Sequence, residues 1–329
     1  MSLASNEREI SYIRAVNVAL ETALSTMPDV IIFGEDVAYP NGPFGATKGL
    51  YAGYGDRVFD TPISESAMVG AALGSAMGGL RPIVEIMYAD FLMVAMDQIV
   101  NQIANASYVS RGKLRAPLVV RTQQGHTPGA CSQHSQSLEA VFAHIPGLRV
   151  ATPATPADAF TMLLHSIASD DPVIFMEARK LYPTKGIVDF MASDAGMGVS
   201  SKIRSGSEVT VVTWGTGRQV VEEALSLPEC PEASLDVIDL RWISPWDSVQ
   251  VLESVGRTGR LLVVHEANEV AGFGAEVIST VAMELGTGLR ASHRVGLLGT
   301  PVPSSPVLSQ AVLPTTNRVI SAIASLLEV

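Results

Sequence analysis

The stretch Asp60-Thr61-Pro62-Ile63-Ser64-Glu65 sets one carboxylate at a proline-bent corner, between a strand at Arg57-Val58-Phe59 and a run of Ala, Gly, Ser and Met from Ser66 to Leu80. Ligands of parallel α/β sheets lie at the carboxyl ends of the strands, so an acid there is a candidate functional group. The competing reading is that Glu65 only complements the positive end of a helix macrodipole. A polar loop from Thr122 to Gln136 carries His126, Cys131 and His134, the side chains of metal binding or thiolate chemistry. It lacks the fourth ligand of a closed zinc site, and a loop histidine also serves as an ordinary hydrogen-bonded surface group. His265-Glu266, at a strand end in the second half, is equally open. Gly215-Thr216-Gly217 and Gly272-Phe273-Gly274 resemble the start of a dinucleotide fingerprint, but the third glycine position holds Val220 and Val277. Both pairs therefore read as helix entry and close packing.

The elements that position these groups alternate. Ile13, Val16, Leu20 and Leu24 recur at helical spacing until Pro28, and the strand Val30-Ile31-Ile32-Phe33 follows. A glycine-rich loop covers 34–56, of a length usually tied to function or an interface. Beyond the corner come a strand at 82–87, a helical pattern from Phe91 to about Tyr108, the strand Leu118-Val119-Val120, and strands at 148–150 and 173–176 around a helix starting near Pro156. A stretch rich in Gly, Ser, Asp, Lys and Pro then precedes a second series, with strands at 209–212, 235–238, 261–264 and 294–295 and a last helix from Arg318 to Leu327. The βα alternation predicts an α/β protein of two domains, each a mostly parallel sheet flanked by helices. Their expected bounds are 1–185 and 208–329, with 186–207 as linker.

A 47% hydrophobic and 17% charged composition supports large cores. The formal charge of −11 argues against nucleic acid and anionic membranes and favours a small-molecule substrate. Cys131 and Cys230 suggest no disulfide framework, which fits a reducing, cytoplasmic setting. No leader is readable at Met1–Glu7, and the nearly uncharged segment 66–80 is too short to span a bilayer.

Taken in order, Asp60–Glu65, Gly79-Leu80-Arg81-Pro82-Ile83, Ala95-Met96-Asp97-Gln98-Ile99, Gln133-His134-Ser135-Gln136, Ile145-Pro146-Gly147-Leu148, Asp239-Leu240-Arg241, His265-Glu266 and Gly272-Phe273-Gly274-Ala275-Glu276 cover nearly the whole chain. Together they resemble the beta subunit of the thiamine-diphosphate-dependent decarboxylating component of 2-oxo acid dehydrogenase complexes, of the pyruvate and acetoin type. The resemblance implies a pyrimidine-binding domain followed by a transketolase C-terminal-like domain. It also implies that Glu65 hydrogen-bonds the ring nitrogen of the cofactor's aminopyrimidine and stabilises its imino tautomer. Phe91, otherwise a plain core residue, would stack on that ring, with Ile63 and Met87 lining the pocket. His134 would assist proton transfer or acyl transfer to lipoamide, in a loop that His126 and Pro128 make unusual for the family. Potassium would rest on backbone oxygens at Leu118, Ser166, Ile167, Ser169 and Asp171.

The chain has no Gly-Asp-Gly motif of the kind that holds magnesium and the diphosphate in this family. The resemblance therefore implies an alpha subunit carrying magnesium and half of the thiamine diphosphate site, in an α2β2 heterotetramer that docks on a dihydrolipoyl acyltransferase core. The substrate would be a small 2-oxo acid or acetoin. Branched-chain 2-oxo acid dehydrogenase subunits, a free-standing transketolase-like synthase and a non-catalytic assembly subunit are the alternatives.

Overall fold

A computed structural model describes residues 6–39, 42–193 and 196–329. The leader reading at residues 1–5 and the linker positions 194–195 lie outside them. The chain divides into two compact units, 1–124 with 141–196 and 125–140 with 197–329. The histidine-bearing loop, expected within the first domain, thus groups with the second unit.

In the first unit the helix Tyr12–Thr26 starts at Ser11, whose hydroxyl accepts the Arg14 N–H, and buries Ala15, Val16, Ala19, Leu20 and Ala23. Among the described residues this unit has the strands β1 (Glu7–Ser11), β2 (Val30–Gly34), β3 (Val58–Asp60), β4 (Arg81–Ile86), β5 (Val119–Gln124), β6 (Arg149–Ala151), β7 (Val173–Ala178) and β8 (Lys185–Asp189). Six run parallel in the order β6-β7-β5-β4-β2-β3. Every residue of β5 and β7 is buried, as strands covered on both faces require. β1 and β8 form an antiparallel pair. β8 lies mostly inside the expected linker; with only Ile187 and Val188 apolar among Lys185, Gly186 and Asp189 it was hidden, and its partner 174 to 182 residues away supplies the ladder.

The second unit contains β9 (Ser201–Arg204), β10 (Val209–Thr213), β11 (Leu235–Asp239), β12 (Trp242–Ser244), β13 (Arg260–Asn268) and β14 (Ala291–Leu297). Its sheet has the order β14-β13-β10-β11-β9, parallel except for β9. Val211, Val237, Leu262, Val295 and Ile323 are among the buried residues of its core. The two-domain α/β class expected from the alternation is the one found.

The helical pattern beginning at Phe91 is broken into a 3₁₀ turn (Ala89–Ala95), a π-helical stretch (Asp97–Ile103) and a short α-helix (Ala106–Val109). Asn105 Nδ2 donates to the carbonyls of Val100 and Asn101, and Asn101 Nδ2 to Asp97 Oδ1. Such amides compete with the i→i−4 ladder, and π-turns gather at functional sites. Among the described residues no helix is long and apolar enough to cross a membrane.

Candidate active site

The first unit assembles its chemistry where β2, β3 and β4 end. Glu65 opens the helix Glu65–Met77 and is 7% exposed, while Ile63 beside it is 80% exposed. Met68, Val69, Ala72 and Ala76 press that helix inward, and Ser66 donates to the Val94 carbonyl (2.6 Å). Asp60 fixes the far side of the corner by accepting the N–H groups of Ala38 (2.7 Å) and Tyr39 (3.0 Å).

Glu35, immediately after β2, joins Glu65 from a neighbouring strand end. Burial pushes its carboxyl above the ordinary range, followed by the negative charges of Glu65, Asp36 and Glu85. Glu35 Oε1 is buried with no hydrogen-bond partner. Two carboxyl groups near enough for one charge to act on the other, one of them with its buried oxygen unsatisfied, fit a ligand that presents nitrogen donors. Sequence reading missed Glu35 because Glu35-Asp36 opens a glycine-rich loop and reads as solvated; its place on the strand next to the Asp60 corner was the available signal.

Phe91 and Met87 are half-buried at the end of β4. Tyr88 between them has φ +69°, a left-handed backbone rare for a bulky residue and a form of strain that gathers at functional sites. Its ring packs edge-on against Phe91 (6.2 Å) and Phe44 (5.7 Å), and the Arg179 guanidinium lies 5.1 Å from its centroid. Beneath it a buried polar network crosses the sheet. Gln123 Oε1 accepts the Tyr88 N–H (3.3 Å), Gln123 Nε2 donates to Glu85 Oε1 (3.1 Å), and Arg121 bridges Glu85 to Glu177, which also accepts Tyr182 Oη–H (2.6 Å). Burial raises the Glu177 carboxyl despite the opposing Arg121 charge. Ile63 and Glu65 thus follow β3, and Met87 and Phe91 follow β4, the two strands that flank β2 in one sheet.

His134 is half-buried in the second unit's loop. Among the described residues no three His, Cys, Asp or Glu side chains converge as a metal site, so His126, Cys131 and His134 do not form one. His265 is a core residue, 0% exposed and stacked on Trp214 at 5.0 Å. Three of the four glycines pack closely near it: a Cβ at Gly274 would come within 2.6 Å of His265 Nε2, one at Gly272 within 3.0 Å of His265 Cε1, and one at Gly217 within 2.6 Å of the Val264 carbonyl. Burial, helped by Arg294, lowers the imidazole pKa to about 4. The unfolded chain therefore takes up this proton first on acidification. The stabilisation is complete above the ordinary pKa of 6.5 and is lost progressively as pH falls to about 4, a drop of about 3 kcal/mol. Urea unfolding at pH 7.5 and pH 4.5 should record that drop, and His265→Gln should flatten it.

Four of the carbonyls expected to hold potassium accept hydrogen bonds. Arg81 Nη1 donates to those of Ile167 (3.1 Å) and Ser169 (2.8 Å), and its Nη2 pairs with Asp170 (3.0 Å). The Leu118 carbonyl accepts the Val173 N–H and the Ser166 carbonyl the Ser169 N–H. A potassium ion there would share two carbonyls with the Arg81 guanidinium. A higher melting midpoint in potassium than in sodium chloride of equal strength would report its binding.

Two family descriptions match the chain: "Transketolase, pyrimidine binding domain" over residues 8–185 and "Transketolase, C-terminal domain" over residues 198–319. The chain is 40% identical to the acetoin:2,6-dichlorophenolindophenol oxidoreductase subunit beta of Cupriavidus necator, over 96% of each chain. It is 38% identical to the pyruvate dehydrogenase E1 component subunit beta of Leifsonia xyli, over 96% of this chain and 94% of the other. With the 3-methyl-2-oxobutanoate dehydrogenase subunit beta of Mycobacterium tuberculosis the identity is 37%, over 96% and 91%. A solved split-gene transketolase, described as an inactive beta4 tetramer, shares the fold with a TM-score of 0.78 at 20% identity, covering 97% of this chain and 98% of that one. The chain therefore belongs to the transketolase-type beta subunits of the 2-oxo acid and acetoin dehydrogenases.

Proposed function

We propose that the protein is the beta half of a thiamine-diphosphate-dependent dehydrogenase that decarboxylates a pyruvate-type 2-oxo acid, or cleaves acetoin, and reductively acylates lipoamide. The observation that carries this reading is Glu65, an acid buried at a strand-to-helix corner, with Glu35 after the neighbouring strand β2 and Phe91 in the turn after β4 on the far side of β2. When bound, thiamine diphosphate supplies the nucleophilic carbon and electron sink that decarboxylation of a 2-oxo acid needs. Glu65 would hold a proton against the pyrimidine ring nitrogen, and Phe91 would stack on the ring face, with Ile63 and Met87 at its edges. Glu35, its carboxyl raised first by burial and then by the nearby negative charges, would hold a proton toward the same ring. His134 would serve acyl transfer to the lipoyl group.

The partner reading rests on two features. No Gly-Asp-Gly occurs in these 329 residues. Around the helix Glu65–Met77, Ile63, Met77, Leu80, Met93 and Val94 are exposed, the kind of apolar surface that marks an interface. An alpha subunit would cover it, hold magnesium and the diphosphate, and complete an α2β2 assembly that docks on a dihydrolipoyl acyltransferase core. Calorimetry tests the division of labour. Magnesium-dependent thiamine diphosphate binding should require the alpha chain, and tight binding by the isolated beta chain would overturn it. A panel of 2-oxo acids and acetoin, run with the reconstituted pair and an artificial electron acceptor, tests the substrate.

A further inference from the structure

The loop that carries His134 is held at both roots by side chains of the second unit. At the first root, Glu266 on β13 accepts the backbone N–H of His126 through Oε1 and the Thr216 hydroxyl through Oε2. Gly125 makes this approach possible. Its φ is +85°, and a Cβ there would lie 2.7 Å from Glu266 Oε1. Its N–H donates to the Gln136 carbonyl (3.2 Å), which ties the two roots together. At the second root the buried Glu139 accepts Trp214 Nε1–H at 2.9 Å, and Trp214 is fixed in turn by its stack on His265.

Between the roots the loop borders a cavity of about 520 Å³, with Ser132, Ser135 and Leu138 on the loop side and Asn268, Leu297 and Thr300 opposite. Packing on that side of the loop is incomplete, so its anchored ends contribute to its position. Of the two anchors, Trp214–Glu139 is built into the core. Glu266 is only half-buried and reaches the loop through a single carboxylate.

We propose that Glu266 is a positioning residue for His134: by binding the His126 N–H and the Thr216 hydroxyl it fixes the root of the loop, and so the place of the imidazole during acyl transfer. The proposal rests on the reading of His134 given above. Misplacing a catalytic group by about 1 Å can cost on the order of 100-fold in rate. The loss should fall on the step that His134 serves and not on decarboxylation as such.

The test uses the reconstituted alpha–beta enzyme and two assays, turnover with an artificial electron acceptor and reductive acylation of a free lipoyl domain. Glu266→Ala should lower acylation by about 10- to 100-fold with dye-linked turnover little changed, and should speed hydrogen exchange across 126–138. Glu266→Gln, which keeps an acceptor for the His126 N–H, should fall between it and wild type. Thr216→Val gives the same comparison should the alanine variant fold poorly. Equal loss in both assays, or wild-type exchange across the loop, would overturn the proposal. His134→Gln, run in parallel, separates the two ideas. If it spares acylation, the role of His134 falls and the proposal with it; if it abolishes acylation while the Glu266 variants retain it, only the positioning role falls.

Discussion

Glu65→Gln should yield a folded subunit that pairs with its partner and turns over its 2-oxo acid on the order of 100- to 10,000-fold more slowly, the span of one general acid–base group. The amide keeps the volume and the place of the carboxyl at the start of the helix Glu65–Met77, so the fold has little reason to change. What disappears is the proton that a buried carboxyl can hold against a ring nitrogen. The measurement is kcat for dye-linked turnover, with the melting midpoint as the control for folding. Near-normal kcat would leave Glu65 as a helix-end acid and remove the main support for the proposed mechanism.

Arg121→Met should have the largest effect on stability. Arg121 is 1% exposed and lies between Glu85 and Glu177, also buried. Its loss leaves two carboxylates without their counter-charge, at a cost of about 3–5 kcal/mol, or on the order of 10 °C in melting midpoint for a unit of this size. The triple variant Arg121→Met, Glu85→Gln, Glu177→Gln removes the stranded charges as well. It should recover much of the loss, and a triple no more stable than the single would show that packing, not charge, dominates. Activity should track these changes, because Gln123 links Glu85 to the Tyr88 backbone beside Phe91.

The parallel sheets, the Glu65 corner and the opening helix were legible because each rests on local pattern: apolar runs of strand length, Pro62 at the bend and the spacing of Val16, Leu20 and Leu24. The polar half of β5 was not. Thr122-Gln123-Gln124 reads as the start of a loop, yet all three, with Arg121 before them, are buried strand residues, since Glu85 and Glu177 on the flanking strands satisfy Arg121 and Gln123 joins Glu85 to Tyr88. Partners 36 and 56 residues away leave no trace in a window read along the chain. Arg81 gives the same lesson. Its Gly-Leu-Arg-Pro-Ile setting supported the family resemblance, but only the fold brings its guanidinium onto the carbonyls of Ile167 and Ser169. Glu266 belongs to the His265-Glu266 motif, but its contact with His126 spans 140 residues.

Because residues 125–140 are rooted in the later half of the polypeptide while the segments on either side return to the earlier half, no single cut yields two self-sufficient pieces. A fragment ending near residue 196 would carry sixteen residues with nowhere to sit, and its complement would lack the strip that caps Trp214 and Glu266. Expression trials that dissect this protein should therefore keep it whole, or graft 125–140 onto the C-terminal piece through a designed connection.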